Sequence, residues 1–128
     1  MPACGYSGRR GLYLRQPHKD TKIQNLFHPV PDARAGEVIE TLLEDDHCRI
    51  ERIVSEGQAT PPGEWFDQET DEWVVLLQGS AGLLCEGEPE IAVMRPGDYV
   101  YIPAHRRHRV EWTDSTQKTV WLAVHIQP

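Results

Sequence analysis

An all-β domain is what this chain predicts, on three observations. From Cys48 onward, short apolar runs recur at roughly 8–12-residue spacing, Gly and Pro separate them, and no helical period lies between them. Seven or eight such strands argue for an antiparallel sandwich or barrel. The length of 128 residues suits one domain with one core.

The elements follow in chain order. Residues 1–22 carry Arg9, Arg10, Arg15, Lys19 and Lys22 against Asp20, with Gly5, Gly8 and Gly11 among them, and read as a flexible basic arm; residues 23–128 form the domain. Asn25–Asp32 reads as an irregular strand leading in. Pro31 and Asp32 then introduce a helix: Val38, Ile39, Leu42 and Leu43 fall at i, i+1, i+4 and i+5, with Glu37, Glu40 and Glu44 facing water. Ile50, Ile53 and Val54 mark the first main strand, closed by Glu56-Gly57. A loop through Pro61, Pro62 and Gly63 leads to Trp73–Leu77, and Ala81–Cys85 reads as its hairpin partner. Ile91–Met94, Tyr99–Ile102, Arg109–Trp112 and Thr119–Ile126 complete the set, with Arg95-Pro96-Gly97-Asp98 as a turn.

Composition excludes several function classes. Thirteen Lys and Arg against 20 Asp and Glu give a net charge of −7, and the basic residues concentrate in the arm, so the domain lacks the basic face of a nucleic-acid binder. No apolar run approaches the ~18 residues of a membrane span, and no apolar stretch follows the first arginines, so the expected setting is cytoplasmic and away from membranes. The three cysteines, Cys4, Cys48 and Cys85, form neither a CxxC pair nor a disulfide framework; Cys48 and Cys85 read as small buried hydrophobes.

Two stretches carry the chemistry: Gly57 through Gly79, and Pro96 through His108. Here the chain resembles the cupin superfamily of small β-barrels or jelly rolls, over about residues 48–126, and more narrowly a group of small single-domain bacterial cupins. The second motif fits well: Gly97, five residues, Pro103, one residue, a position usually glycine and here His105, two residues, then a metal histidine, here His108. The first fits in frame only. Glu72 matches its glutamate and Gly79 its closing glycine, but the places of its paired histidines are held by Trp65 and Asp67, or by Phe66 and Gln68. The resemblance implies a single jelly-roll-like cupin barrel that forms a homodimer through residues 23–56.

Strand residues two apart share a face, so such a barrel can aim several side chains into one cavity. Asp67, Glu72 and His108, joined by His105 or Gln68, make a mixed oxygen and nitrogen set suited to a divalent ion, Zn²⁺, Mn²⁺, Fe²⁺ or Ni²⁺. The expected function is a metal-dependent cupin acting on a small polar molecule, with isomerase, lyase and dioxygenase chemistry open and Glu72 or Asp67 doubling as general base. The alternatives are a metal-free acid–base isomerase, a ligand-binding or sensing module, and a structural barrel. His125 reads as a hydrogen-bonded strand histidine, with a cavity-facing role as the alternative. Acidic residues 67–72 and basic residues 105–109 are expected to meet at one mouth, where an arginine would greet an anionic ligand. Trp65, Phe66, Tyr99 and Tyr101 are candidates to line the pocket or to pack the core.

Overall fold

Eight strands run through residues 21–128, the part of the chain that this computed structural model describes; the expected basic arm lies almost wholly outside the described residues. They are β1 (Val38–Glu44), β2 (Cys48–Ser55), β3 (Asp71–Gln78), β4 (Ala81–Cys85), β5 (Ala92–Met94), β6 (Tyr99–Ile102), β7 (His108–Thr113) and β8 (Thr119–Ile126). No helix occurs among the described residues, so none is long and apolar enough to cross a membrane.

The helix expected around Val38–Glu44 is a strand, and the reason is a bulge. β1 pairs antiparallel with β2, but the register shifts between Thr41 and Leu43, so Leu42 and Leu43 together oppose Ile50. The half-buried positions therefore fall at Val38, Glu40 and Leu43. The extra residue breaks the two-residue alternation, and the apolar spacing that results imitates a helical stripe. Asn25–Asp32 is not a strand either: it holds a turn closed by a bridge between Asn25 and His28.

The strands form a five-stranded sheet, β1-β2-β8-β3-β6, and a three-stranded sheet, β5-β4-β7, with antiparallel pairing throughout. β3 and β4 are not the hairpin the sequence suggests. The chain crosses between sheets at Gly79-Ser80, and β3 pairs with β8 and β6 while β4 pairs with β7 and β5. The ladders do not close into a barrel. The two sheets face each other across a core of Val74, Leu76, Ala81, Leu83, Met94, Ile102, Trp121 and Ala123, drawn from both. β7 gains a partial partner in the 57–70 loop: Thr60 N–H donates to Val110 O, and Phe66 and His108 exchange backbone hydrogen bonds of 2.7 and 3.1 Å.

The segment before β1 packs on β2. Arg52 is buried there; its Nη1 donates to Leu26 O and Pro29 O at 2.9 and 3.0 Å, and its Nε to Glu40 Oε1 at 2.7 Å. Ala33 is fully buried, with its N–H on Glu56 Oε2 at 2.7 Å. Cys85 is a free, half-buried thiol, whereas Cys48 is buried and disulfide-bonded, which corrects the reading of Cys48 as a reduced hydrophobe.

Gly79 shows what the sheet crossing demands. Its φ is +87°, and a Cβ there would lie 2.7 Å from Thr119 Cα, in backbone that cannot retreat. We expect Gly79→Ala to cost on the order of 2 kcal/mol or more, from left-handed strain plus the clash. Urea denaturation checks this; an unchanged midpoint refutes it.

Candidate functional site

Register brings ionisable side chains into one row. On the inner face of the large sheet Arg49 of β2 opposes His125 of β8, His125 opposes Glu72 of β3, and Glu72 opposes Ile102 of β6. The next row is Glu51, Ala123 and Val74, and the one after it Ile53, Trp121 and Leu76. Polar residues thus occupy one end of the sandwich, and apolar residues fill it further in. A cavity of about 270 Å³ spans these rows, lined at its polar end by Arg49, Glu51, Gln68, Glu72, His108 and His125. Its apolar wall includes Ile53, Val74, Leu83, Val110 and Trp121.

Glu72 and His108 face each other across the two sheets. Both are buried, 7% and 5% exposed, and Glu72 Oε1 lies 3.7 Å from His108 Nε2, too far for a hydrogen bond. His108 Nδ1 lies 2.8 Å from Arg106 O. A carbonyl only accepts, so Nδ1 carries hydrogen and Nε2 is the nitrogen offered to the cavity. Phe66 stacks on the imidazole at 5.5 Å between centroids. Glu72 Oε1 has no hydrogen-bond partner among the described residues although it is buried. Burial raises the Glu72 pKa above the ordinary 4.5; the nearby His125 and His108 pull it back in part.

A second pair stands beside the first. His125, 4% exposed, donates from Nε2 to Glu51 Oε1 at 2.9 Å, and its Nδ1 lies 3.4 Å from Thr70 Oγ1. Glu51 Oε2 accepts from Arg49 Nε at 2.8 Å. His125 is therefore both a hydrogen-bonded strand histidine and a cavity residue. Arg49 and Glu51 are the residues the sequence reading missed. Their spacing of two on a strand was available as a signal, but nothing in the sequence distinguishes them from surface charges.

The expected ligand set divides. Glu72, His108 and Gln68 line the cavity, whereas Asp67 and His105 turn outward and pair with each other at 2.8 Å, both largely exposed. Of the two possible occupants of the paired-histidine places, Phe66 and Gln68 face inward. Trp65 instead lies under Arg107 and Arg109, at 5.6 and 5.8 Å from their guanidinium carbons. His105 has φ +64°, a left-handed conformation, which explains why glycine is usual at that place in the motif. Tyr99 and Tyr101 are exposed on edge strand β6. The expected acid–base mouth reduces to Asp67–His105: Arg106 pairs with Glu88, Arg107 with Glu86 and Arg109 with Glu111.

These residues do not fit a divalent ion held by three ionisable ligands. Phe66 puts a ring without donor atoms where an imidazole would stand, and no cluster of three or more His, Cys, Asp or Glu suited to a metal occurs among the described residues.

The unpartnered carboxylate has a measurable cost. Below pH 4.5 Glu72 is protonated in folded and unfolded chains alike and costs nothing; as pH rises through its higher folded value, ionisation destabilises the fold. Glu72→Gln removes that charge and is expected to be more stable than the native chain by on the order of 1–3 kcal/mol at pH 8. The difference should shrink towards pH 4. Thermal denaturation of both proteins across that range is the check, and a difference independent of pH contradicts it.

Comparison with known proteins agrees with this architecture. The family profile described as Cupin domain matches residues 51–125. A Ralstonia eutropha JMP134 protein, provisionally described as a mannose-6-phosphate isomerase, is 53% identical, with 84% of this chain and 99% of that chain covered and a TM-score of 0.81. An RmlC-like cupin family protein of double-stranded β-helix fold from Methanocaldococcus jannaschii is 20% identical over 71% of this chain and 80% of its own, at TM-score 0.59. The polyketide cyclase RemF of Streptomyces resistomycificus is also 20% identical, over 72% and 66%, at TM-score 0.61. The last two establish likeness of fold alone. No curated protein matches the chain. With the family profile spanning most of the domain and a relative sharing half its residues, the chain belongs to the cupin family.

Proposed function

We propose that this cupin catalyses proton transfer on a small polar molecule, with Glu72 and His108 as the acid–base pair and no metal ion required. The observation that carries the reading is the buried, unpartnered Glu72 Oε1, 3.7 Å from His108 Nε2. The gap is too long for a direct bond, and both atoms line the cavity, so a reacting group can approach the two together from the cavity side. The isomerase in the description of the 53%-identical relative is consistent with chemistry of this class.

The reactive state is the ion pair. Glu72 carboxylate takes a proton from the carbon beside a substrate carbonyl, while imidazolium His108 gives its Nε2 proton to the carbonyl oxygen. The neutral enediol that results returns to a carbonyl compound when Glu72 delivers its proton to the neighbouring carbon and His108 Nε2 takes one from the enediol hydroxyl. Charge and protons balance over the cycle. The Nδ1–H bond to Arg106 O holds the ring in place with Nε2 towards the cavity. Burial makes Glu72 a stronger base than a solvated glutamate, and the apolar wall excludes water from the intermediate.

Deuterium exchange tests this. Small hydroxyaldehydes and hydroxyketones, D-mannose 6-phosphate among them, are incubated with the protein in deuterated buffer and followed by proton NMR, after chelator treatment and after loading with Zn²⁺, Mn²⁺, Fe²⁺ or Ni²⁺. Exchange is expected to survive chelation and to fall by at least ~100-fold in Glu72→Gln and in His108→Ala. Its rate should rise with pH through a group titrating above 4.5. Exchange that needs added metal replaces this reading with the metal-dependent one, and binding without exchange replaces it with the ligand-binding module.

We further propose that the protein is a homodimer built on residues 23–56. β1 is an edge strand with Ile39 and Leu42 exposed, which supports pairing there. Light scattering is expected to return twice the chain mass; a monomer overturns the proposal.

A further inference from the structure

Arg49 differs from the other arginines near the cavity. Arg106 donates to Glu86 O and pairs with Glu88, Arg107 pairs with Glu86, and Arg109 is held by Glu111 and by Thr60, Pro61 and Glu64 carbonyls. None of the three lines the cavity, whereas Arg49 does. Only its Nε is engaged, by Glu51 Oε2; no described residue takes a hydrogen bond from either Nη. Glu51 is itself tied to His125, a buried residue on the central strand. The guanidinium is thus aimed by a short chain of hydrogen bonds, with its two-nitrogen end open.

We propose that Arg49, positioned by Glu51 and His125, holds the anionic end of the ligand, and that the ligand is a small molecule bearing a terminal carboxylate or phosphate. A guanidinium stays charged at all working pH values and matches either group with two parallel hydrogen bonds. The other carboxylates lining the cavity are held away from this surface. Glu51 accepts from His125 Nε2 and from Arg49 Nε, and Glu37 stands exposed and accepts from Ser55 Oγ at 2.7 Å. The apolar rows below cannot take an anion, so the charged end must stay in the polar row. Arg49 and Glu72 sit on strands two places apart, roughly 10 Å at the backbone. An oxyanion on Arg49 therefore leaves the next few carbons of a short ligand in front of Glu72 and His108.

The substrate class rests on the proton-transfer reading, but the anchor is testable by binding alone. Titration calorimetry with D-mannose 6-phosphate, D-glucuronate and D-mannose compares a phosphate, a carboxylate and a neutral sugar of similar size. At least one of the two anions is expected to bind and D-mannose to bind more weakly; the tighter anion assigns phosphate or carboxylate. Arg49→Gln should weaken that anion tenfold or more, equivalent to about 1.4 kcal/mol. Arg107→Gln, outside the cavity, should leave it unchanged. On native protein labelled with nitrogen-15, the anion should shift the amides of Arg49, Glu51, Glu72 and His125, a map that holds even if Arg49→Gln folds poorly. Binding of neither anion, equal affinity in Arg49→Gln, or shifts confined to the exposed arginines overturns the anchor. The two readings fail separately. Exchange that depends on Glu72 with anion binding indifferent to Arg49 removes the anchor alone, and Arg49-dependent binding without exchange removes proton transfer alone.

Discussion

The register of β2 on β8, and of β3 on β8 from Asp71 to Leu76, sustains both the core and the cavity. All eight residues of β2 pair in sequence with β8, from Cys48 on Ile126 to Ser55 on Thr119. Because successive side chains alternate between faces, a slip of one residue would send Arg49, Glu51 and Ile53 to the outside and bring Ile50 and Arg52 in. The apolar rows through Trp121 and Leu76 prevent that slip, since they bury only in the observed register. Hydrophobic packing at one end of the sandwich thus holds charged groups in place at the other.

The loop of residues 57–70 performs a second positioning task. It lies along β7 through reciprocal backbone hydrogen bonds between Phe66 and His108, so the second sheet gains a partial extra strand without a regular ladder. That contact fixes which side chains turn inward. Phe66 and Gln68, two apart, face the cavity, and the residues between and beside them, Trp65 and Asp67, face away. His105 then completes a small exterior latch with Asp67, reinforced by its own N–H on Gln68 O at 2.7 Å. Two residues with metal-ligand chemistry serve to hold the loop.

Glu72 illustrates a conflict between stability and chemistry. A carboxylate among Val74, Ile102 and the two imidazoles loses its hydration and, at Oε1, gains no hydrogen bond in exchange. A group that costs stability in this way persists where the surrounding fold over-determines it, and such sites concentrate at functional centres. The neighbouring Glu51–His125–Arg49 chain is by contrast well bonded, with contacts of 2.9 and 2.8 Å, so the cavity combines one satisfied ionic network with one poised pair.

The all-β class, the strands from Cys48 onward and the inward placing of Glu72 and His108 were legible from the sequence alone. They depend on local alternation, turn residues and motif spacing, which neighbouring residues determine. What the sequence did not reveal depended on pairing across distance. β1 looked helical because a bulge against β2 spreads its apolar residues; β3 and β4 looked like a hairpin because a tight turn at Gly79 does not say whether the chain folds back or crosses to the other sheet. Asp67 and Gln68 are both candidates in one dimension, and only the loop's contact with β7 turns one out and the other in. Arg49, Glu51 and His125 sit more than 70 residues apart in part, and the antiparallel register of β2 with β8 alone makes them one group. Local physics therefore decided the strands from Cys48 onward, and tertiary pairing decided β1 and which of the charges meet.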